Sequence, residues 1–195
     1  MFAAAAPGFE AKAFFEYHMY TLPRATTLAC MEMKQISLFE PATTEVTKIY
    51  HYQADRGENV DVQIEFRNSS QSGLGMPLPA GRVRLFKSDD DGSLILLGED
   101  RIDHTPKDEE VSLTVGTAFD IKGEQKTVSQ TRVSQSIEER EFEIELRNHK
   151  SEEVTIEVEK KLWGFWEILE STHEYTSEDA NTLIFKVPVE MYGTL

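Results

Sequence analysis

The sequence predicts an all-β protein, and three observations agree on this class. Apolar and polar residues alternate with a period of two along many short runs. The breaks between runs carry residues that favour tight turns, such as Asp91-Gly92 and Lys122-Gly123. No stretch of ten or more residues shows a convincing amphipathic helical pattern. Together these features favour an antiparallel β-sandwich of immunoglobulin-like type.

The strands are predicted one by one from this alternation. Each of the clearest runs has one apolar and one polar face, which is typical of a strand packed on one side only. These runs are residues 60–66, 111–115, 142–146, 154–158 and 183–189. Further strands are predicted at residues 14–22, 46–52, 82–87, 94–97 and 163–169.

The chain shows one weak internal similarity. Residues 62–68 and 142–148 are both alternating runs that end in Arg-Asn before a polar turn. Either two related β-sandwich lobes or a coincidence explains this. Because residues 122–139 are strongly polar, a boundary is expected near Gln130. The predicted organisation is a flexible start at residues 1–8, a β-sandwich lobe at 9–130, and residues 131–195 as either an immunoglobulin-like second lobe or a continuation of the same sandwich.

The charge of the chain limits its partners. Asp and Glu number 35 against 20 Lys and Arg, which gives a net charge of −15. Such a chain repels phosphate backbones and anionic lipid surfaces, so neither nucleic-acid binding nor membrane insertion is expected. No apolar run approaches the roughly 20 residues that a membrane helix needs. The first residues lack the basic and apolar regions of a signal peptide.

Possible metal ligands occur in two places. Asp89 and Asp91 belong to an acidic turn that offers the oxygen ligands preferred by calcium, although the spacing does not fit an EF-hand. Asp103 and His104 could contact a metal or a ligand, or they could bond only backbone groups at the end of a strand. The single cysteine, Cys30, is expected to be a partly buried, unreactive thiol. No cofactor is predicted, and calcium is the only metal considered.

An aromatic cluster is the main candidate for ligand binding. It consists of Trp163, Phe165, Trp166 and Tyr175. The group is either core packing, with Gly164 forming a bulge, or a stacking platform for a sugar or a peptide. Exposure of the two indoles distinguishes these interpretations.

The glycine-rich loop at residues 73–81 is read as a rigid structural loop. It lacks the lysine and the following helix of a phosphate-binding loop. Its glycines and prolines instead suit a segment that sets the entry of the next strand.

Several strings, taken in order, resemble one known family. They are Phe15-Glu-Tyr-His-Met-Tyr-Thr-Leu-Pro-Arg24, Thr26-Thr27-Leu28, Lys34-Gln35-Ile36, Gly73-Leu-Gly-Met-Pro-Leu-Pro-Ala-Gly81, Leu96-Leu-Gly-Glu-Asp-Arg-Ile-Asp-His-Thr-Pro106, Leu146-Arg-Asn-His-Lys150 and Trp163-Gly164 with Trp166-Glu-Ile168. The chain is similar over residues 9–189 to the C-terminal domain of the mucoidy-inhibitor-A-like proteins, domain of unknown function 4139. The resemblance implies a bacterial, extracytoplasmic β-sandwich with no established activity.

The resemblance also suggests a place for assembly. Similar proteins continue beyond Tyr192 into one more alternating strand. Lack of that strand would leave a sheet edge open near Val187, Val189 and Tyr192, where a second copy or another protein could add a strand.

The sequence therefore predicts a non-enzymatic structural or protein-interaction module of the bacterial envelope or cell surface. Its expected partner is another protein or a second copy of the chain, joined through the open edge. The alternative is a carbohydrate- or peptide-binding module that uses the aromatic cluster. A hydrolase is disfavoured, because no nucleophile or acid–base group can be assembled from the residues.

Overall fold

The computed structural model describes residues 10–15, 17–22, 25–39 and 41–195, and every regular element among them is a β-strand. This confirms the prediction of an all-β protein. The expected flexible start at residues 1–8 lies outside the described residues. No helix in the described part of the chain has the length and apolar character needed to cross a bilayer.

Eleven strands are present among the described residues. They are β1 (Glu10–Phe14), β2 (Tyr17–Thr21), β3 (Thr47–Gln53), β4 (Asn59–Arg67), β5 (Gly81–Ser88), β6 (Leu94–Ile102), β7 (Glu110–Arg132), β8 (Glu138–Asn148), β9 (Val154–Lys161), β10 (Tyr175–Ser177) and β11 (Thr182–Val189). The predicted strand at residues 163–169 is absent, because that segment forms a loop. β10 and the long extension of β7 were not predicted.

Seven strands form one sheet in the order β10-β11-β9-β3-β4-β7-β8. Two further pairs, β1 with β2 and β5 with β6, form separate two-stranded sheets. The prediction of a purely antiparallel sheet is wrong at one position, since β3 and β9 run parallel, with Tyr50 opposite Ile156. These strands are far apart in the chain, so no hairpin forces them to be antiparallel.

The chain divides into two compact units, each built from three segments. The smaller unit comprises Met1–Glu45, Phe66–Gly81 and Ile102–Val111, and the larger comprises Val46–Glu65, Arg82–Arg101 and Ser112–Leu195. The boundary expected near Gln130 falls inside β7, where Gln130 pairs with Arg140 of β8. A common origin of two lobes stays a prediction.

The core of the larger unit follows the alternation read from the sequence. In β9, Val154, Ile156 and Val158 are buried, while Thr155 is exposed. They pack with buried residues of β3, β4, β7, β8 and β11, among them Tyr50, Tyr52, Val60, Ile121, Leu146, Val187 and Val189. Full burial of such a side chain contributes roughly 1.5–3 kcal/mol, so this cluster is a major source of stability.

Two asparagines that end alternating strands are fully buried, each at 0% exposure. In the smaller unit, the Asn68 amide nitrogen donates to the carbonyl oxygens of Met76 and Pro106, at 2.8 and 2.9 Å. Its amide oxygen accepts from the Gly75 N–H at 3.0 Å. Asn68 therefore fixes the glycine-rich loop to the end of β4.

Asn148 has the same role at the end of β8 in the larger unit. Its amide nitrogen donates to the carbonyl oxygens of Glu152, Val189 and Glu190 at 2.8–3.2 Å. Its amide oxygen accepts from the Lys150 N–H at 2.9 Å. The two Arg-Asn sequences thus share a structural role: in each, the buried asparagine side chain holds a neighbouring loop to the end of a strand.

Candidate functional site

The aromatic cluster lies on the segment that joins β9 to β10, residues 162–174, here called the aromatic loop. Trp163 is 81% exposed and Phe165 is fully exposed. Trp166 is half-buried, and Tyr175 at the start of β10 is 41% exposed. Because one indole and one phenyl ring face solvent, core packing does not account for the cluster.

The loop is anchored at its base by backbone and indole groups. The Leu162 N–H donates to the Asn181 carbonyl oxygen at 2.7 Å, and the Trp166 indole N–H donates to the Ala180 carbonyl oxygen at 3.1 Å. Gly164 has a φ of +82°, a conformation that suits glycine and turns the chain between the two exposed rings. It is a turn residue and does not form the β-bulge expected from the sequence.

An open cleft of about 500 Å³ adjoins the aromatic loop and is lined by Ser171, Thr172, His173, Glu174 and Tyr175. The Tyr175 ring contacts the Phe185 ring of β11 with centroids 5.7 Å apart. This contact fixes one wall of the cleft to the seven-stranded sheet. The cleft thus places one aromatic ring beside polar side chains.

The aromatic loop, β10 and the turn that follows together carry an excess of negative charge. Residues 162–181 contain five carboxylates and no Lys or Arg. Glu167, Glu170, Glu174 and Glu178 are exposed, and no ion pair joins them to another described residue. Exposed aromatic faces with nearby carboxylates can hold apolar groups, ring faces or cations.

The candidate calcium ligands fall into separate compact units. Asp89 and Asp91 lie in the turn between β5 and β6, in the larger unit, and Asp103 and His104 belong to the smaller unit. The Asp91 carboxylate accepts from the Ser93 N–H at 2.8 Å, and hydrogen bonds from the Ser93 side chain and then its backbone lower the pKa of Asp91. His104 Nδ1 accepts from the Ala80 N–H at 3.2 Å.

Across the described residues, no group of three or more His, Cys, Asp or Glu side chains is arranged to hold a metal ion. Calcium binding at Asp89 and Asp91 stays a prediction. Cys30 is exposed, so the expected partial burial of its thiol is wrong.

The residues of the proposed assembly edge differ in side-chain exposure, and assembly at this edge stays a prediction. Val187 and Val189 point into the core, at 5% and 1% exposure, and only Tyr192 is at the surface. β11 is flanked by β9 along its whole length and by β10 at residues 183–185. Beyond β11 the chain turns, and Leu195 exchanges two backbone hydrogen bonds with Leu146 of β8.

A polar cluster that sequence reasoning missed joins three neighbouring strands. His51 Nε2 lies 3.0 Å from a carboxylate oxygen of Glu159, and its Nδ1 lies 3.0 Å from the Gln63 amide nitrogen. Glu159 also accepts from Gln53 at 3.1 Å and pairs with Lys161 at 3.1 Å. These residues come from β3, β4 and β9, so only the sheet topology could have revealed them.

The carboxylate of Glu159 is stabilised in its charged form. Burial acts to raise its pKa, but the hydrogen bonds from Gln53 and Lys161 and the nearby His51 outweigh burial and hold the pKa below its ordinary value. The partners of this carboxylate are amide, ammonium and imidazole groups on adjacent strands. We therefore assign the cluster to sheet cohesion.

Comparison with known proteins found no matching protein family, no matching curated protein and no matching solved structure. The resemblance to the mucoidy-inhibitor-A-like family accordingly stays a prediction.

Proposed function

We propose that this protein is a non-enzymatic interaction module whose contact surface is the aromatic loop. The observation that supports this most directly is the exposure of Trp163 and Phe165 on a loop that is anchored at its base by Trp166. Exposed apolar surface of this kind is costly in water unless a partner covers it. Trp and Tyr are also enriched among the residues that dominate binding energy.

The β5–β6 pair offers a second exposed apolar surface, which we consider the weaker candidate. Leu94, Ile95, Leu96 and Leu97 are each exposed by about half to two-thirds. Singly exposed aliphatic side chains are common on protein surfaces, so partial exposure at these positions is weaker evidence of a contact surface. The aliphatic side chains also lack the ring faces and the polar edge that make Trp and Tyr effective contact residues.

The binding surface can be tested with a displayed library of random peptides. Clones would be selected on the wild-type protein and counter-selected on Trp163→Ala/Phe165→Ala. We expect enriched clones that bind the wild type at least about tenfold more tightly, because loss of a hot-spot side chain costs about 2 kcal/mol or more. A Phe86→Ala/Leu94→Ala variant, which removes exposed apolar groups from β5 and β6, is the matched control and should bind normally.

Carbohydrate binding is the alternative use of the same surface, since indole faces also stack on sugar rings. A glycan array decides between the two. Glycan binding that depends on Trp163, together with failure of the peptide selection, would replace the interaction proposal with a carbohydrate-binding module. A library that yields no Trp163-dependent clone and an array without signal would contradict both.

We further propose that the module has an immunoglobulin-like sandwich architecture and acts in the bacterial envelope or at the cell surface. The resemblance to the mucoidy-inhibitor-A-like proteins supports both statements. Self-association through a sheet edge, with Tyr192 as the surface residue of that region, belongs to the same proposal. Light scattering over a range of concentrations tests it, because a strict monomer at high concentration would contradict self-association.

A further inference from the structure

We infer that the partner of the aromatic loop is an extended, cationic peptide segment, rich in Lys or Arg, that lies along the free edge of β10. This inference rests on the proposed function and adds the chemistry of the partner. Three properties of the described residues support it: the position of β10 in the sheet, the charge of the loop, and the exposure of the rings.

β10 occupies one end of the seven-stranded sheet. It pairs with β11 only, with Tyr175 opposite Phe185 and Ser177 opposite Leu183. Among the described residues no strand lies on its other side, and all three of its residues are exposed. Unpaired backbone groups at such an edge can accept an added strand, which is how several peptide-binding domains hold extended ligands.

The negative charge around this edge favours a positively charged ligand. Glu170 and Glu174 precede β10 and Glu178 follows it, all three exposed and without an ion-pair partner among the described residues. Lys161, at the end of β9, already pairs with Glu159 at 3.1 Å. An acidic peptide would be repelled, whereas Lys or Arg side chains would find carboxylates to pair with.

The exposed rings suit the same ligand. A Lys ammonium or an Arg guanidinium is attracted to the face of an indole, most strongly when water is partly excluded. Alternate side chains of an extended peptide point to one side of the added strand, so a peptide with a cation at every second position presents all its cations on one face. Glu174 and Tyr175 both line the cleft, so the cleft offers a carboxylate and an aromatic ring to a cationic side chain.

The test uses three short synthetic peptides of equal length, with Lys–Thr, Ser–Thr or Glu–Thr alternation, and the full chain. Binding is followed by calorimetry and by tryptophan emission, to which the exposed Trp163 and the half-buried Trp166 both contribute. We expect the Lys–Thr peptide to bind at least about tenfold more tightly than the Ser–Thr peptide, the Glu–Thr peptide not to bind, and affinity to fall with added salt.

Two pairs of variants separate this site from general attraction between opposite charges. Trp163→Ala/Phe165→Ala keeps the net charge and should abolish binding of the Lys–Thr peptide. Glu170→Gln/Glu174→Gln should weaken it several-fold more than Glu139→Gln/Glu143→Gln, which removes the same charge from exposed positions of β8.

Each outcome decides one point. Equal binding of the Ser–Thr and Lys–Thr peptides, or equal loss in the two glutamate variants, would overturn the cationic partner and leave the interaction surface standing. The same holds if none of the three peptides binds while the random library yields Trp163-dependent clones. Failure of the library as well would overturn the proposed function itself.

Discussion

The glycine-rich loop and the aromatic loop both connect strands, but they use their side chains in opposite ways. At the glycine-rich loop, the buried Asn68 side chain accepts a hydrogen bond from the Gly75 N–H. It also donates to the carbonyl oxygens of Met76 and Pro106. In the second, Trp163 and Phe165 point into solvent, although Trp166 anchors the loop. A loop whose polar groups converge on a buried side chain is a folding device, whereas a loop that exposes its largest rings is available to a partner.

Asn68→Ala should have the largest effect on stability. Its removal leaves the Gly75 N–H and two carbonyl oxygens without their buried partner, which we expect to cost about 3 kcal/mol. Chemical denaturation measures this. Asn59→Ala is the control: Asn59 is exposed and accepts a solvent-exposed hydrogen bond from Lys122 at 2.8 Å, so its loss should change stability by less than about 0.5 kcal/mol. If the two variants were equally stable, Asn68 would not be the anchor of its loop.

Glycine substitutions sharpen the comparison between the loops. Gly75 has a φ of +90°, and an added Cβ would collide with the backbone nitrogen of Ser70, so Gly75→Ala should cost about 2 kcal/mol or more. Gly164 has a φ of +82° but open space around it, so Gly164→Ala should cost only about 1 kcal/mol. Thermal unfolding of the two variants measures the difference, and the reverse order would contradict the assignment of roles.

The polar cluster around Glu159 should make the free energy of unfolding depend on pH. Trp163 and Phe165 have no titratable group, so they add no such dependence. Because the pKa of Glu159 is lowered in the folded protein, its contribution is fully present above the unfolded pKa of about 4.3 and is lost as pH falls through the folded value. Glu159→Gln should cost about 2 kcal/mol at pH 7 and much less near pH 3. A cost that is the same at both pH values would show that the charge of Glu159 is irrelevant.

Trp166→Phe should have a smaller effect, since it removes only the indole N–H bond to the Ala180 carbonyl and part of a half-buried ring. We expect a loss of about 1 kcal/mol, with faster hydrogen exchange confined to the aromatic loop and its anchor. Protection that changes equally throughout the sheet would mean that Trp166 belongs to the core.

The fold class was predictable because strand alternation is a local property of the sequence. Residues 154–158 and 183–189 became the core strands β9 and β11 for that reason. The parallel pairing of β3 with β9 was not predictable, since it joins segments about a hundred residues apart. The segment at residues 163–169 was misread as a strand because its rings mimic strand composition, while Gly164 in fact turns the chain.

The sequence predicted which aromatic residues form the candidate site, but it did not predict which of their rings are exposed. Trp163, Phe165, Trp166 and Tyr175 stood out as an aromatic cluster, but only the structure shows which rings are exposed. The cluster of His51, Gln63 and Glu159 had no local signal, because its members meet through sheet pairing. Val187 and Val189 have buried side chains, and β10 pairs with β11 only at residues 183–185, so an open edge beside these two valines stays a prediction.

The most direct test of the central claim is the affinity of the Trp163→Ala/Phe165→Ala variant for peptides selected on the wild-type protein. These rings lie outside the core, so the free energy of unfolding of the variant should stay within about 0.5 kcal/mol of the wild-type value. We predict that affinity nevertheless falls at least about tenfold. Unchanged affinity in a normally folded variant would contradict the assignment of the aromatic loop as the contact surface.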